Sequence, residues 1–369
     1  MADLVALDLP GGPRFVDELR RIWEAGDAIF PVDQRLPATA RRDLVRRMGA
    51  ARIVTSTGHE SGPGAVPVEV GDAAVIATSG STGVPRAVVL THDAIAASAA
   101  ATSVRLGATG EDHWLACLPL SHVGGLSVVF RALHAGTRLT VHPGFDPSAV
   151  ESSGATLVSL VATALARIDP TRFRTIVLGG SRPPDDRPAN TVTTYGMTET
   201  GSGIVYDRVP LTGVDLRIVD GEIQLRCPML LRCYRDGTDP RTTDGWFPTG
   251  DLGSIDDDGL LTVRGRRGDL IITGGENVWP EPVEAVLRTH PDVGDVAVIG
   301  RDDPEWGQIV TALVVVSPGR PAPALESLRD HVKSELPAFA APRHVVFCHH
   351  LPRTTLGKLR RSDLAQLDG

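Results

Sequence analysis

The chain has 369 residues, 42% hydrophobic and 22% charged, with 37 Lys and Arg set against 45 Asp and Glu. That length buries a large core and calls for two or more domains, and the composition is that of an ordinary globular protein. A formal net charge of −8 argues against nonspecific nucleic-acid binding, and no apolar run approaches membrane-spanning length.

The start, Met1-Ala2-Asp3-Leu4, has no basic region ahead of an apolar one, so no signal peptide is expected and the cytoplasm is the expected compartment. Phe15, Leu19, Ile22 and Trp23 recur at helical spacing and predict a helix over 15–25. A short strand over 27–32, a helix over 38–48 and a strand at 52–54 follow. Apolar runs at 73–77 and 88–90 predict two strands around a Gly/Ser/Thr loop, and the Ala-rich stretch 94–101 reads as a packed helix. Alternation continues through 134–141 and 156–161 to a strand at 174–178 that ends in Gly179-Gly180, which argues for an α/β architecture with buried sheets. Residues 183–188, rich in Pro and Asp, form an expected exposed loop.

The texture changes after Asp207. Runs at 214–219 and 222–226 alternate across Asp220-Gly221, a hairpin signal, and a further strand follows at 260–263. The charged segment 266–269 carries Gly268 and reads as a hinge, although an ordinary turn has the same composition. Beyond it lies a small α+β unit with helices over 282–288 and 325–336 and strands at 296–299 and 312–316. The four cysteines, Cys117, Cys227, Cys233 and Cys348, lack Cys-x-x-Cys spacing and read as reduced thiols, with a disulfide left open. No histidine or cysteine group has metal-ligand spacing.

The loop between the two strands is the most informative segment. Thr78, Ser79, Gly80, Ser81, Thr82 and Gly83 combine close backbone approach with hydroxyl donors, which suits phosphate oxygens. No Gly-Lys-Ser/Thr follows, so it is not a Walker loop, and alone it reads equally well as a surface turn. Further along come Leu118-Pro119-Leu120-Ser121-His122-Val123-Gly124-Gly125 and Gly179-Gly180-Ser181. Thr194-Tyr195-Gly196-Met197-Thr198-Glu199-Thr200, Thr249-Gly250-Asp251 and Gly265-Arg266-Arg267-Gly268-Asp269 follow. Last are Gly274-Gly275-Glu276-Asn277 and Leu351-Pro352-Arg353-Thr354-Thr355-Leu356-Gly357-Lys358.

In that order these strings resemble the adenylate-forming superfamily of acyl-CoA ligases, peptide-synthetase adenylation domains and luciferases, from about Asp27 onward. The resemblance implies a large N-terminal domain, residues 1–267, of α/β subdomains plus a β-rich subdomain. It also implies a small mobile α+β C-terminal domain, residues 268–369, with the hinge at Gly268 or Asp269. It further implies activation of a carboxylate by ATP and magnesium to an acyl-adenylate and transfer to the thiol of coenzyme A.

Attack of a carboxylate on the α-phosphate builds negative charge that fixed donors and cations must stabilise. On the resemblance, the loop holds the β- and γ-phosphates, Glu199 ligates magnesium and Thr198 donates to the α-phosphate. Tyr195 offers a face to adenine, with Gly180, Ser181, Thr194 and Gly196 nearby, and Asp251 with Arg266 serves the ribose. Lys358 bridges the carboxylate and the α-phosphate in the adenylation state, a role suited to a mobile ammonium. Gly274 and Gly275 let backbone lie near the pantetheine thiol. His122 reads as a gate between the ATP and acyl sites, or as a packed loop histidine.

The late start implies a reduced first subdomain. With the segment from Leu118 to Gly125 and the Gly-Gly-Glu-Asn-Val run, it is similar to the short o-succinylbenzoate–CoA ligases of menaquinone synthesis. Gly124 and Gly125 then border the acyl pocket. Arg131 falls where such enzymes place a basic residue for the substrate's second carboxylate; it also reads as a solvated or structural side chain in a helical run. Pro85-Arg86-Ala87 departs from the family's Pro-Lys-Gly. The alternatives are an enzyme for another aromatic or aliphatic acid, one that loads a carrier protein or forms an amide, and a nucleotide-binding protein without catalysis. The sequence leaves the oligomeric state open, a homodimer being one reading; neither nucleic acid nor membrane is an expected partner.

Overall fold

The computed structural model describes residues 1–78, 86–180, 183–184, 186–353 and 359–367. The expected phosphate-loop residues Ser79, Gly80, Ser81, Thr82 and Gly83, together with Ser181 and Lys358, lie outside the described residues. The chain divides into two compact units. One comprises Met1–Arg217, Gln224–Phe247 and Asp256–Leu261; the other comprises Ile218–Ile223, Pro248–Ile255 and Thr262–Gly369.

The first unit is built on two seven-stranded sheets. In one, Leu4–Asp8 pairs in parallel with Ala28–Pro31 and with Arg52–Thr55. Asp72–Thr78 and Arg86–Thr91 extend it as an antiparallel pair, and Cys233–Tyr234 closes that edge. The Leu4–Asp8 strand, which the sequence reading passed over, is central because four successive residues from Leu4 to Leu7 are all buried. In the other sheet Arg138–Val141, His113–Ala116, Leu157–Leu160, Thr175–Leu178 and Thr191–Met197 run parallel. Ser202–Tyr206 then turns back antiparallel on Thr191–Met197.

Two helices cover these sheets. His92–Leu106 starts at Thr91, whose hydroxyl accepts from the Ala94 N–H at 3.1 Å, and stops at Gly107 with φ 56°. It outruns the expected 94–101 at both ends because cap and stop signals, not the alanine run, set its length. Val123–Ala135 packs against it, burying Leu126, Val128, Val129 and Phe130. The helices Pro13–Glu24 and Ala38–Met48 lie where the spacing predicts them.

The strands Asp215–Val219, Glu222–Arg226, Phe247–Ile255 and Leu261–Arg266 follow one another in a four-stranded sheet. The Asp220-Gly221 turn has φ of 49° and 76°, as a two-residue hairpin turn requires. In the second unit a five-stranded sheet carries the long pair Val293–Asp303 and Gly307–Val316. The helices Pro280–Leu287 and Leu325–Lys333 pack on it through Val283, Leu287, Leu328 and Val332. No helix among the described residues is long and apolar enough to cross a membrane.

Candidate active site

The two strands around the Gly/Ser/Thr loop end in register, Thr78 opposite Arg86, and the Thr78 hydroxyl donates to the Arg86 carbonyl at 3.1 Å. A second motif meets this sheet from the other. Thr191–Met197 ends in a one-turn 3-10 helix, Thr198–Thr200. That turn is locked by the buried Thr200 hydroxyl, which accepts from the Met197 N–H at 3.1 Å and sits 2.7 Å from the Ser202 carbonyl. Glu199 lies at its middle, half-buried, with its carbonyl accepting from the Leu231 N–H at 2.7 Å.

The Glu199 carboxylate is oriented by a residue that sequence reasoning missed. The Tyr234 hydroxyl donates to Glu199 Oε1 at 2.9 Å, and the Arg86 guanidinium lies 4.8 Å from the Tyr234 ring centre. Burial first, then the neighbouring Glu199 charge, pushes the Tyr234 phenol up to about 12, so its proton stays on and is donated. Among the described residues Glu199 Oε2 accepts no hydrogen bond. One open carboxylate oxygen fits a magnesium ion that takes most of its ligands from phosphates and water. No group of three or more His, Cys, Asp or Glu among the described residues offers a protein-only metal cage.

Thr194 and Tyr195 lie on the strand leading to Glu199, and the Thr194 hydroxyl donates to the Leu178 carbonyl at 3.3 Å, beside the Gly179-Gly180 turn. Gly196 is there for packing: a Cβ on it would stand 2.2 Å from the Ser202 carbonyl oxygen.

His122 precedes the helix Val123–Ala135. Arg35 Nη2 lies 2.7 Å from His122 Nε2 and 2.6 Å from Asp33 Oδ2, and Arg35 Nε donates to Asp33 Oδ1 at 2.8 Å. Burial works to raise the Asp33 carboxyl, but hydrogen bonds with His122 and Arg35 and the Arg35 charge outweigh it and hold the group well below the usual carboxylate range. Gly125 is buried where a Cβ would stand 2.4 Å from the Leu118 carbonyl oxygen, while Gly124 is exposed.

Arg131 is not solvated: it is 3% exposed. It donates to Ser159 and to the Tyr206 hydroxyl, both at 3.4 Å, and to Ser202, and it lies 5.5 Å from the Trp114 ring centre. Its Nε is buried without a partner, and no carboxylate among the described residues pairs with it. A small cavity of about 10 Å³, room for roughly one water, lies against it, lined also by Ala94, Ser98 and Phe130.

In the second unit, Asp251 and Arg266 come from the strands Phe247–Ile255 and Leu261–Arg266, with Arg266 Nε 2.8 Å from Asp251 Oδ1. Arg266 Nη1 also donates to the Thr249 carbonyl at 2.9 Å, and the Thr249 hydroxyl accepts from the Asp251 N–H at 3.0 Å. The Thr-Gly-Asp tripeptide thus lies within a nine-residue strand, kinked at Gly250 with φ 73°. Gly274 and Gly275 form the exposed left-handed turn between Ile271–Thr273 and Glu276–Val278. All four cysteines are free, and burial pushes the Cys117 thiol up to about 12, so it is inert as a nucleophile at neutral pH.

The fold is that of the adenylate-forming class. The sequence model described as AMP-binding enzyme matches residues 62–227, and that described as AMP-binding enzyme C-terminal domain matches residues 282–358. The chain is 42% identical over 364 residues to a probable 2-succinylbenzoate–CoA ligase of Mycobacterium tuberculosis, covering 90% of this chain and 94% of that one. It is 37% identical over 337 residues to the 2-succinylbenzoate–CoA ligase of Bacillus cytotoxicus, covering 79% and 69%. Among solved structures it resembles the Bacillus subtilis o-succinylbenzoate CoA synthetase in complex with its acyl-adenylate intermediate. That match has a TM-score of 0.86 at 29% identity, over 98% of this chain and 88% of that one. The chain belongs to the AMP-binding enzyme family.

Proposed function

We propose that this protein is an AMP-forming o-succinylbenzoate–CoA ligase of menaquinone synthesis in the cytoplasm. It converts the acid and ATP to an acyl-adenylate and pyrophosphate, then passes the acyl group to the thiol of CoA. The observation that carries the choice of acid is Arg131. Its guanidinium is buried among neutral groups on the segment that also anchors Ser202, three residues from Glu199. A buried cation without a carboxylate partner is costly unless a ligand supplies the anion, and o-succinylbenzoate brings a second carboxylate. The relatives named 2-succinylbenzoate–CoA ligase support the same reading.

Within this reading Thr78 and residues 79–83 hold the β- and γ-phosphates, Thr198 donates to the α-phosphate, and Glu199 ligates magnesium. Magnesium bound with the triphosphate spreads its negative charge. Gly180, Ser181, Thr194, Tyr195 and Gly196 border the adenine, and Asp251, steadied by Arg266, accepts from the ribose hydroxyls. His122, held in place by Arg35, separates the nucleotide from the acyl pocket at Gly124 and Gly125. Lys358 bridges the reacting carboxylate and the α-phosphate. Residues 268–369 rotate about Gly268 or Asp269 to bring Gly274-Gly275 to the thiol for the second half-reaction.

Pyrophosphate release with magnesium, ATP and o-succinylbenzoate, completed by acyl-CoA formation when CoA is added, is the test. Turnover on another acid alone would sink the choice of acid. Transfer to a carrier protein or an amine with none to CoA would sink the ligase reading, and light scattering settles whether the enzyme is a homodimer.

A further inference from the structure

Glu199 sits on a short turn at the end of the second sheet, whereas Tyr234 sits on the edge strand of the first, next to Arg86–Thr91. Their hydrogen bond therefore ties together the two sheets that carry the nucleotide motifs. A glutamate has three rotatable side-chain bonds, and an unrestrained carboxylate sacrifices that freedom on binding a cation. The phenol fixes Oε1, and among the described residues no donor meets Oε2. Arg86 is the first described residue after the Gly/Ser/Thr loop, and its planar guanidinium stacks on the same ring, which a lysine ammonium does less well.

We propose that Tyr234, braced by Arg86, is a positioning residue that aims the Glu199 carboxylate at the divalent cation travelling with ATP. The proposal rests on the ligase reading above. It accounts for Arg86 standing where the resembled family has lysine: one aromatic ring is shared between the cation at the end of the phosphate loop and the carboxylate that meets the metal. Hydrogen-bond partners of metal ligands typically control about 10- to 100-fold in metal affinity.

The test is calorimetric titration of the full chain with ATP, across a range of magnesium concentrations and in EDTA, for the wild type and Tyr234→Phe. The phenylalanine keeps the ring and the stack and removes only the hydroxyl. Half-saturating magnesium is expected to rise about tenfold, while ATP affinity in EDTA stays within about twofold and the melting temperature of the free protein holds. Arg86→Lys is expected to raise it less, about two- to threefold, because the stack weakens while the hydroxyl stays. An unchanged magnesium requirement in Tyr234→Phe overturns the proposal. So does equal weakening of ATP binding with and without magnesium, which is the mark of a structural role. A wild type that shows no magnesium-dependent ATP binding overturns the ligase reading itself, and this inference with it.

Discussion

Two arginines, Arg361 half-buried and Arg131 buried, have opposite surroundings. Arg361, in the second unit, lies 3.2 Å from Asp269, 3.3 Å from Glu281 and 3.0 Å from Glu284 and donates to the Val298 carbonyl. Burial works against its charge, but Glu284, Glu281 and Asp269 outweigh that and hold it above the usual arginine value. Arg131, in the first unit, is more deeply buried, and its polar partners among the described residues are hydroxyls, with an indole beside it and no carboxylate. A cation whose countercharges come from its own fold contributes to the structure. One whose countercharge is missing is free to contribute to binding, because a ligand carboxylate completes it.

That contrast can be broken from either side. Arg361→Met leaves three carboxylates facing one another, one of them, Glu284, 2% exposed. It is expected to cost about 2–3 kcal/mol in denaturant unfolding, less than the full penalty for a wholly buried ion pair because Asp269 and Glu281 reach solvent. A loss under about 1 kcal/mol would mean that the cluster relaxes to solvent. Arg131→Met is expected to do the reverse. Stability should change by about 1 kcal/mol or less, since no carboxylate is stranded, while kcat/KM for o-succinylbenzoate falls about 30- to 1,000-fold. A large stability loss with kcat/KM intact would make Arg131 a second Arg361.

Arg35 lies between the two cases, paired with Asp33 and also turned to His122. Arg35→Ala removes the guanidinium that holds both Asp33 and His122, which lie 3.7 Å apart. With the gate side chain no longer held, kcat/KM for o-succinylbenzoate is expected to fall about tenfold with the melting temperature little changed; an unchanged kcat/KM would separate His122 from turnover. The smallest effect is on acid stability. The Asp33 carboxyl is depressed in the folded chain, so its contribution is complete above the unfolded value near ~3.9 and is lost as pH falls through the lower folded value. Asp33→Asn should remove up to about 1 kcal/mol at pH 7 and less with falling pH below ~4, converging with the wild type in urea melts at the acid extreme. A constant gap down to that extreme would mean that Asp33 acts by packing and not by charge.

Much of this was legible in the chain because the informative motifs are local. The hydroxyl-rich loop between apolar runs, the Tyr-Gly-Met-Thr-Glu string and the Thr-Gly-Asp tripeptide each place their chemistry within a few residues, and periodicity places the helices Pro13–Glu24 and Ala38–Met48 around them. Asp220-Gly221 announces its hairpin for the same reason: the turn demands two positive φ angles and the residues that tolerate them are adjacent. The strand Leu4–Asp8 escaped because a short, fully buried strand shows no alternation.

Partnerships across sequence were not legible at all. Tyr234 meets Glu199 across 35 positions, Arg35 meets His122 across 87, and Arg131 meets Ser202 across 71. Composition and motif order announce which chemistry the chain carries, since each motif's backbone geometry is encoded by neighbours a few residues away. Which charges are satisfied and which stay open was settled only when sheets and helices packed. Burial and ion pairing depend on distances that no local pattern specifies, and for Arg131 that packing replaced water with hydroxyls and an indole and, among the described residues, supplied no counterion.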